Sequence, residues 1–314
     1  MAVDIPNYRV VEKLGVGAQS RIFRARCMRT GKDYTVKIVK IVNPEDTAII
    51  DLLRTEYAIG SAIDHPVIRK VYELRMMRQR LRVRGAILFM EYVEGMSLSD
   101  KEFRKPLDEI LRIFTEAARG LDAMHRAGFV HADLKPSNIM VDSEGVVKLI
   151  DLGQSSKINE AKVRVQGTID YMAPEQVQRG IMDRRTDVFG LGATLHRVLT
   201  GVPIPTDMNK TISIYSQGLV GKRIQEIDQS GSTELPACLA RLIEDSCRYE
   251  QAGRIADMPT FIERLDLART VNRNRPIGAA KSGAQGADRS GEDAATQVPD
   301  SHRNPTDSPN ESNA

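Results

Sequence analysis

Between residues 8 and 93 the apolar positions recur mainly at every second residue. "YRVVEKLG", "SRIFRARCM" and "DYTVKIVKI" read as strands rich in β-branched side chains, separated by glycine-bearing turns. "YELRMMRQ" and "RGAILFMEYV" read as two further strands. Between these groups "EDTAIIDLLRTEYAIGSAI" carries its apolar residues at helical spacing. From about residue 97 to 270 the helical period dominates. "DEILRIFTEAARGLDAMHRAG" is its clearest case, with Gly128 as a fitting stop. Inside this half one stretch reverts to short strands: "FVHADL", "NIMVD" and "VVKLID", the last two parted by a Ser-Glu-Gly turn. The pattern therefore predicts an α+β chain with a β-rich lobe over about 8–93 and a helical lobe over about 95–270. A short hinge near Glu94 and Gly95 joins them.

A third change falls near residue 272. From there to Ala314 the chain is Gly, Ala, Ser, Asn, Asp and Pro, with almost no large apolar residue besides Ile277 and Val298. Such a segment buries too little surface to offset its ordering entropy, so residues 272–314 are expected to be a disordered polar tail.

Composition narrows the function classes. A net charge of +3 over 314 residues, with no Lys/Arg block interleaved with aromatics, gives no reason to expect nucleic acid. Cys27, Cys238 and Cys247 are scattered and form no CxxC pair, so neither a zinc site nor a disulfide framework is suggested. The longest apolar run, "GAILFMEYV", is broken by Glu91 and falls short of the ~18 residues that cross a bilayer. The N-terminus has no basic region followed by an apolar one, so it does not read as a secretory signal. The expectation is a cytoplasmic protein with no membrane span.

The candidate chemistry sits in "HADLKPSNIMVDSEGVVKLIDLG", from His131 to Gly153. Asp133 can accept a proton from a hydroxyl. Lys135, two residues on, can neutralise a phosphate in transit. Asn138 and Asp151 offer oxygens of the kind that Mg²⁺ prefers. Phosphoryl transfer asks for this set, because it needs positioning and charge stabilisation and little covalent chemistry.

"HADLKPSN" followed by "DLG" resembles the catalytic loop and metal-binding motif of eukaryotic-type (Hanks-type) Ser/Thr protein kinases, which read H-R-D-L-K-P-x-N and D-F-G. Further elements follow in the family's order over about residues 8–268. "LGVGAQSRIF" resembles the loop over the ATP phosphates, with Gly15, Val16, Gly17 and Ser20 in it. "YTVKIV" places Lys37 on the third strand, and Glu56 on the next helix matches its ion-pair partner, ahead of His65 and Pro66. "LFMEYVEG" resembles the hinge. The resemblance implies that Met90 is the gatekeeper and that the backbones of Glu91 and Val93 meet the adenine edge. Ile22, Thr35 and Met140 would then enclose the ring. "GTIDYMAPE" resembles the end of the activation segment, with Thr168 against the catalytic Asp and Lys, and Glu175 paired with Arg254. Asp187 would brace the catalytic loop, and Phe189 stands where the family has Trp.

The resemblance implies a bilobal kinase fold that uses ATP with Mg²⁺, or Mn²⁺, to phosphorylate protein Ser/Thr hydroxyls, its own included. The lack of elaborate insertions fits a bacterial member. Lys135 and Thr168 disfavour tyrosine specificity, and Ser137 gives no support for basic substrates. Three departures carry their own expectations. Ala132 replaces the arginine that receives an activation-loop phosphate, so activity is expected not to depend on that phosphate. Leu152 replaces the Phe of D-F-G and stays apolar. Gly60 stands where the family has a bulky apolar residue. It predicts a gap and a loosely held helix, completed by ATP or by a regulatory partner at that helix, with the tail as the other candidate docking arm. Two alternatives remain at this level: a pseudokinase scaffold that binds nucleotide, and a small-molecule kinase. The Glu175–Arg254 pair argues against the latter.

Overall fold

The computed structural model describes residues 5–16, 20–41, 47–80, 82–161, 167–204 and 235–274. Strands β1 (Tyr8–Val16), β2 (Ser20–Cys27), β3 (Asp33–Lys40), β4 (Val71–Gln79) and β5 (Arg82–Glu91) form one antiparallel sheet in the order β1-β2-β3-β5-β4. Helix α1 (Thr47–Ala62) lies between β3 and β4 in the chain.

The period-two pattern sorts the sheet into two faces. On one, Phe23, Ala25, Val36, Ile38, Ile87 and Phe89 pack together beneath Ile5. On the other, Val39, Ala86, Leu88 and Met90 pack with Val71 against Ile50 and Leu53 of α1. Lys37 lies between Val36 and Ile38 in sequence, so strand alternation turns it away from the first cluster and toward α1. A single register rule thus aims the lysine that the sequence analysis singled out on this sheet.

Beyond the hinge, β6 (Met96–Ser97), β8 (Ile139–Val141) and β9 (Val147–Leu149) make a small sheet in the order β6-β8-β9. Helix α2 (Leu107–Arg126) is its long partner. Asp108 and Glu109 in its first turn and His125 and Arg126 in its last complement the helix dipole. Its buried stripe, Ile110, Leu111, Phe114, Ala117, Ala118 and Leu121, is the spine of the main core. Gly128, at φ +89°, turns the chain out after the helix.

Helix α3 (Pro174–Val177) is short. Helix α4 (Arg184–Thr200) starts at Asp183, whose carboxylate accepts the Arg185 N–H at 2.7 Å. Helices α5 (Ala237–Ser246) and α6 (Met258–Arg273) complete the helical half. Asp257 caps α6 by accepting the Thr260 N–H at 3.0 Å. Asp108 of α2 receives Arg269 at 3.2 Å and Arg273 at 2.8 Å from α6. Two short strand pairs and one further backbone bond frame the segment around Phe129 and Val130. β7 (Phe129–Val130) pairs with β10 (Ser156–Lys157), β11 (Glu160–Ala161) pairs with β12 (Ile181–Met182), and Ile158 donates its N–H to the Gly128 carbonyl at 2.9 Å.

The lobes and the long helices follow the sequence pattern, with two differences. "FVHADL" is a strand only over Phe129–Val130, because Ala132 takes a left-handed conformation at φ +59°. Residues 272 and 273, expected in the tail, are the last turn of α6; the tail expected over 275–314 lies outside the described residues.

Candidate functional site

The segment after β7 is built around one buried carboxylate. Asp187 of α4 accepts the His131 N–H at 2.8 Å and the Ala132 N–H at 2.9 Å, and its Oδ2 is 2.8 Å from His125 Nε2. Burial alone would raise the Asp187 carboxyl. The hydrogen bond and charge of His125, and the backbone donors, hold it below the ordinary carboxylate range. This is the bracing expected of Asp187. It presents Asp133 at the turn that follows.

Asp133 Oδ2 accepts Lys135 Nζ at 2.7 Å and Asn138 Nδ2 at 3.2 Å. Asn138 Nδ2 also donates to the Asp133 carbonyl at 2.8 Å, which turns the amide oxygen of Asn138 the other way. Lys135 Nζ reaches Thr168 Oγ1 at 3.1 Å. Four residues spread over 36 positions therefore form one hydrogen-bonded group (from 133 to 168 in the chain). The Ile150 N–H donates to the Asn138 carbonyl at 3.0 Å, which ties Asn138 to the residue preceding Asp151.

Asp151 follows β9 at φ +62° and turns its Oδ1 to Lys37 Nζ at 3.1 Å. The same ammonium meets Glu56 Oε2 of α1 at 2.8 Å. Burial pushes the Asp151 carboxyl up, but Lys37 more than reverses this, with help from Arg69 and Lys135, and holds it at about 2. Burial would likewise lower Lys37; Glu56 and Asp151 together raise it instead. Lys37 and Asp151 are thus both charged at neutral pH.

Sequence reasoning missed a second cation here. Arg69 Nη2 lies 3.3 Å from Glu56 Oε1, and the Arg69 N–H donates to the Leu149 carbonyl at 3.0 Å. Arg69 is buried. The available signal was an arginine inside the apolar run "PVIRKV", which a fully exposed loop would not explain.

The residues expected around a nucleotide fall on β1, β2, β3, β5 and β8 and on the hinge. Gly15 and Val16 end β1, Ser20 opens β2, and Gly17 lies outside the described residues. A Cβ at Gly15 would meet nothing within 4 Å, so this backbone faces open space. Ile22 is the register neighbour of both Gly15 and Lys37, and Thr35 is that of Met90. Thr35 and Met90 are buried, while Ile22, Val93 and Met140 are half-buried. The Glu91 N–H is already given to the Lys70 carbonyl at 2.9 Å, and the Glu91 carboxylate takes Lys148 Nζ of β9 at 2.8 Å. Lys148, unremarked in the sequence, thereby ties the hinge to the strand that leads to Asp151.

The gap expected at Gly60 is absent. A Cβ built there would overlap the Val71 Cγ2 methyl and stand 3.0 Å from Val71 Cβ and 3.4 Å from Leu152 Cδ1. Val71 and Leu152 already occupy the space, so the glycine permits close approach of β4 to α1. The expectation of an unfilled space that a partner or ATP must complete is corrected accordingly.

At the far end, Arg254 forms a two-pronged pair with Glu175, both contacts at 2.8 Å, and Thr186 donates to the same carboxylate at 2.8 Å. Gln176 accepts the Ala173 N–H at 3.0 Å and donates to the Ala132 carbonyl at 2.8 Å. Ser155 is buried, and its hydroxyl lies 3.3 Å from the His131 carbonyl.

No helix among the described residues is long and apolar enough to cross a membrane. A family model described as a protein kinase domain matches residues 8–263. The chain is 32% identical over 286 residues to the serine/threonine-protein kinase PknB of Mycobacterium tuberculosis, covering 86% of this chain and 44% of that protein. It is 30% identical over 260 residues to the "Probable serine/threonine-protein kinase CPE1738" of Clostridium perfringens, covering 79% and 37%. The chain thus spans less than half the length of these curated relatives.

Proposed function

The chain belongs to the protein kinase domain family, and from that premise we propose that it is a Ser/Thr protein kinase moving the γ-phosphoryl group of ATP onto protein hydroxyls. The observation that carries this reading is the Lys37 ammonium, held between Glu56 at 2.8 Å and Asp151 at 3.1 Å. Such a buried cation on the central strand, with Ile22 between it and the open backbone of Gly15 in the sheet register, suits the phosphates of a nucleotide. The adenine would lie against Ile22, Thr35 and Met140. The Glu91 contribution falls to its carbonyl, because its N–H is taken; Val93 would supply the second backbone contact.

Asp133 is the base. Lys135 and Asn138 hold its Oδ2, which leaves Oδ1 to meet an incoming hydroxyl and take its proton. Lys135 offsets charge on the departing phosphoryl group, and Thr168 fixes that ammonium in place. Asp151 and the amide oxygen of Asn138 are hard oxygen donors that fit Mg²⁺ or Mn²⁺, which when bound supplies positive charge to the phosphates.

Activity without activation-loop phosphorylation is part of the proposal. Ala132 offers no cation to a phosphate, and the buried Ser155 hydroxyl faces the His131 carbonyl and not solvent. The intact Lys37–Glu56 and Lys135–Asp133 pairs favour an active enzyme over a scaffold. A cytoplasmic site of action suits three unpaired thiols.

The test is transfer of labelled γ-phosphate from Mg-ATP to casein or myelin basic protein. Label on Ser and Thr that disappears in Asp133→Asn and Asp151→Asn is the expected result. No label from the wild type, with ATP still raising its melting temperature, would return the scaffold reading.

A further inference from the structure

Ala132 sits at φ +59°, a conformation that an alanine seldom holds unaided. It precedes Asp133, so the plane of the peptide between them sets the direction of the Asp133 side chain. Two bonds fix that residue. Asp187 Oδ1 accepts the Ala132 N–H at 2.9 Å, and Gln176 Nε2 donates to the Ala132 carbonyl at 2.8 Å. Both Ala132 and Gln176 are buried, so water does not readily replace the amide. The other end of the Gln176 amide accepts the Ala173 N–H at 3.0 Å. Gln176 itself follows Glu175, which Arg254 and Thr186 anchor.

We propose that Gln176 is a positioning residue: its amide clamps the Ala132 carbonyl and so locks the peptide that aims Asp133, while joining it to the segment between Thr168 and Glu175. This rests on the kinase reading for the role of Asp133. The clamp is made by a neutral side chain and is present without any modification. It supplies a physical reason for a catalytic loop that stands ready with Ala132 in it.

A purely local role is the competing account, since the bond from Ala173 also closes the first turn of α3. Gln176→Glu separates the two. The isosteric carboxylate still accepts the Ala173 N–H but sets an oxygen against the Ala132 carbonyl. Gln176→Leu removes both bonds. The measurements are kcat and KM for ATP, backbone amide hydrogen exchange over residues 131–135, and thermal melting.

For Gln176→Glu we expect kcat to fall about tenfold with KM for ATP within about twofold, the split of a group that acts on the chemical step and not on nucleotide binding. Amide exchange at Asp133 and Leu134 should rise about tenfold, with the sheet residues unchanged. Wild-type exchange and kcat in Gln176→Glu would overturn the clamp, as would faster exchange confined to 173–178. Exchange decides the clamp whether or not the wild type transfers phosphate, and transfer by the wild type decides the kinase reading separately. If Gln176→Leu fails to fold, the isosteric Gln176→Glu carries the test alone.

Discussion

Arg69 reaches Glu56 from the side opposite to Lys37, with its Nη2 3.3 Å from Glu56 Oε1 while Lys37 holds Oε2 at 2.8 Å. Glu56 is fully buried, and each of its oxygens has its own cation. Removing Arg69 leaves the carboxylate paired once, so Arg69→Met should lower stability by about 1–3 kcal/mol. Phosphoryl transfer should survive in reduced form. Lys37→Met should abolish transfer, because Lys37 and not Arg69 faces Asp151. Chemical denaturation and γ-phosphate transfer on both variants check this; equal loss of activity in the two would contradict it.

Gly60→Ala should destabilise the fold by about 1–3 kcal/mol, although alanine favours helix over glycine by about 1 kcal/mol. The added methyl meets Val71 across a seam that is already closed. Val71→Ala in the same chain should recover part of the loss, giving a favourable coupling in a double-mutant cycle. Strict additivity would show that the two residues do not compete for one space.

Glu175→Gln strips the charge from the partner of a guanidinium whose side chain is 0% exposed. A buried cation left uncompensated should cost about 3–5 kcal/mol, read by urea unfolding. Arg254→Met added to it should restore part of that stability. A change under about 0.5 kcal/mol in the single variant would mean that Thr186 and the surrounding carbonyls suffice.

His196 of α4 is buried, and its Nδ1 lies 3.2 Å from the Val202 carbonyl. Burial lowers its pKa from 6.5 to about 4, with Arg197 adding to the effect. The unfolded chain therefore binds a proton that the folded one refuses between those values. Stability should fall as pH drops below about 6.5, by about 2 kcal/mol at pH 5, and level off near pH 4. His196→Gln should flatten the melting temperature over that interval, while equal slopes in both proteins would place the acid sensitivity elsewhere.

Which parts were legible follows from how local their causes are. Lys37 could be aimed from strand alternation alone, and Asp133, Lys135, Asn138 and Asp151 announce themselves because their chemistry restricts residue type at fixed spacing. The Glu175–Arg254 pair was readable through resemblance. Arg69, Gln176 and Lys148 were not, since each is defined by a residue distant in the chain that it happens to touch. Gly60 was misread for the same reason: whether a glycine marks a void or a contact depends on Val71, eleven positions later. "FVHADL" has strand composition, but Asp187 and Gln176 pull Ala132 out of strand geometry.

The family model stops at residue 263, inside α6, whereas the helix continues to Arg273. Leu265 and Ala268, both fully buried, and the two arginines that grip Asp108 all lie past that limit. A shortened chain cut at the family boundary would open a groove along α2 and leave an exposed oily strip. The cooperative folding unit therefore runs past the boundary of the family model, and expression designs should end after residue 274.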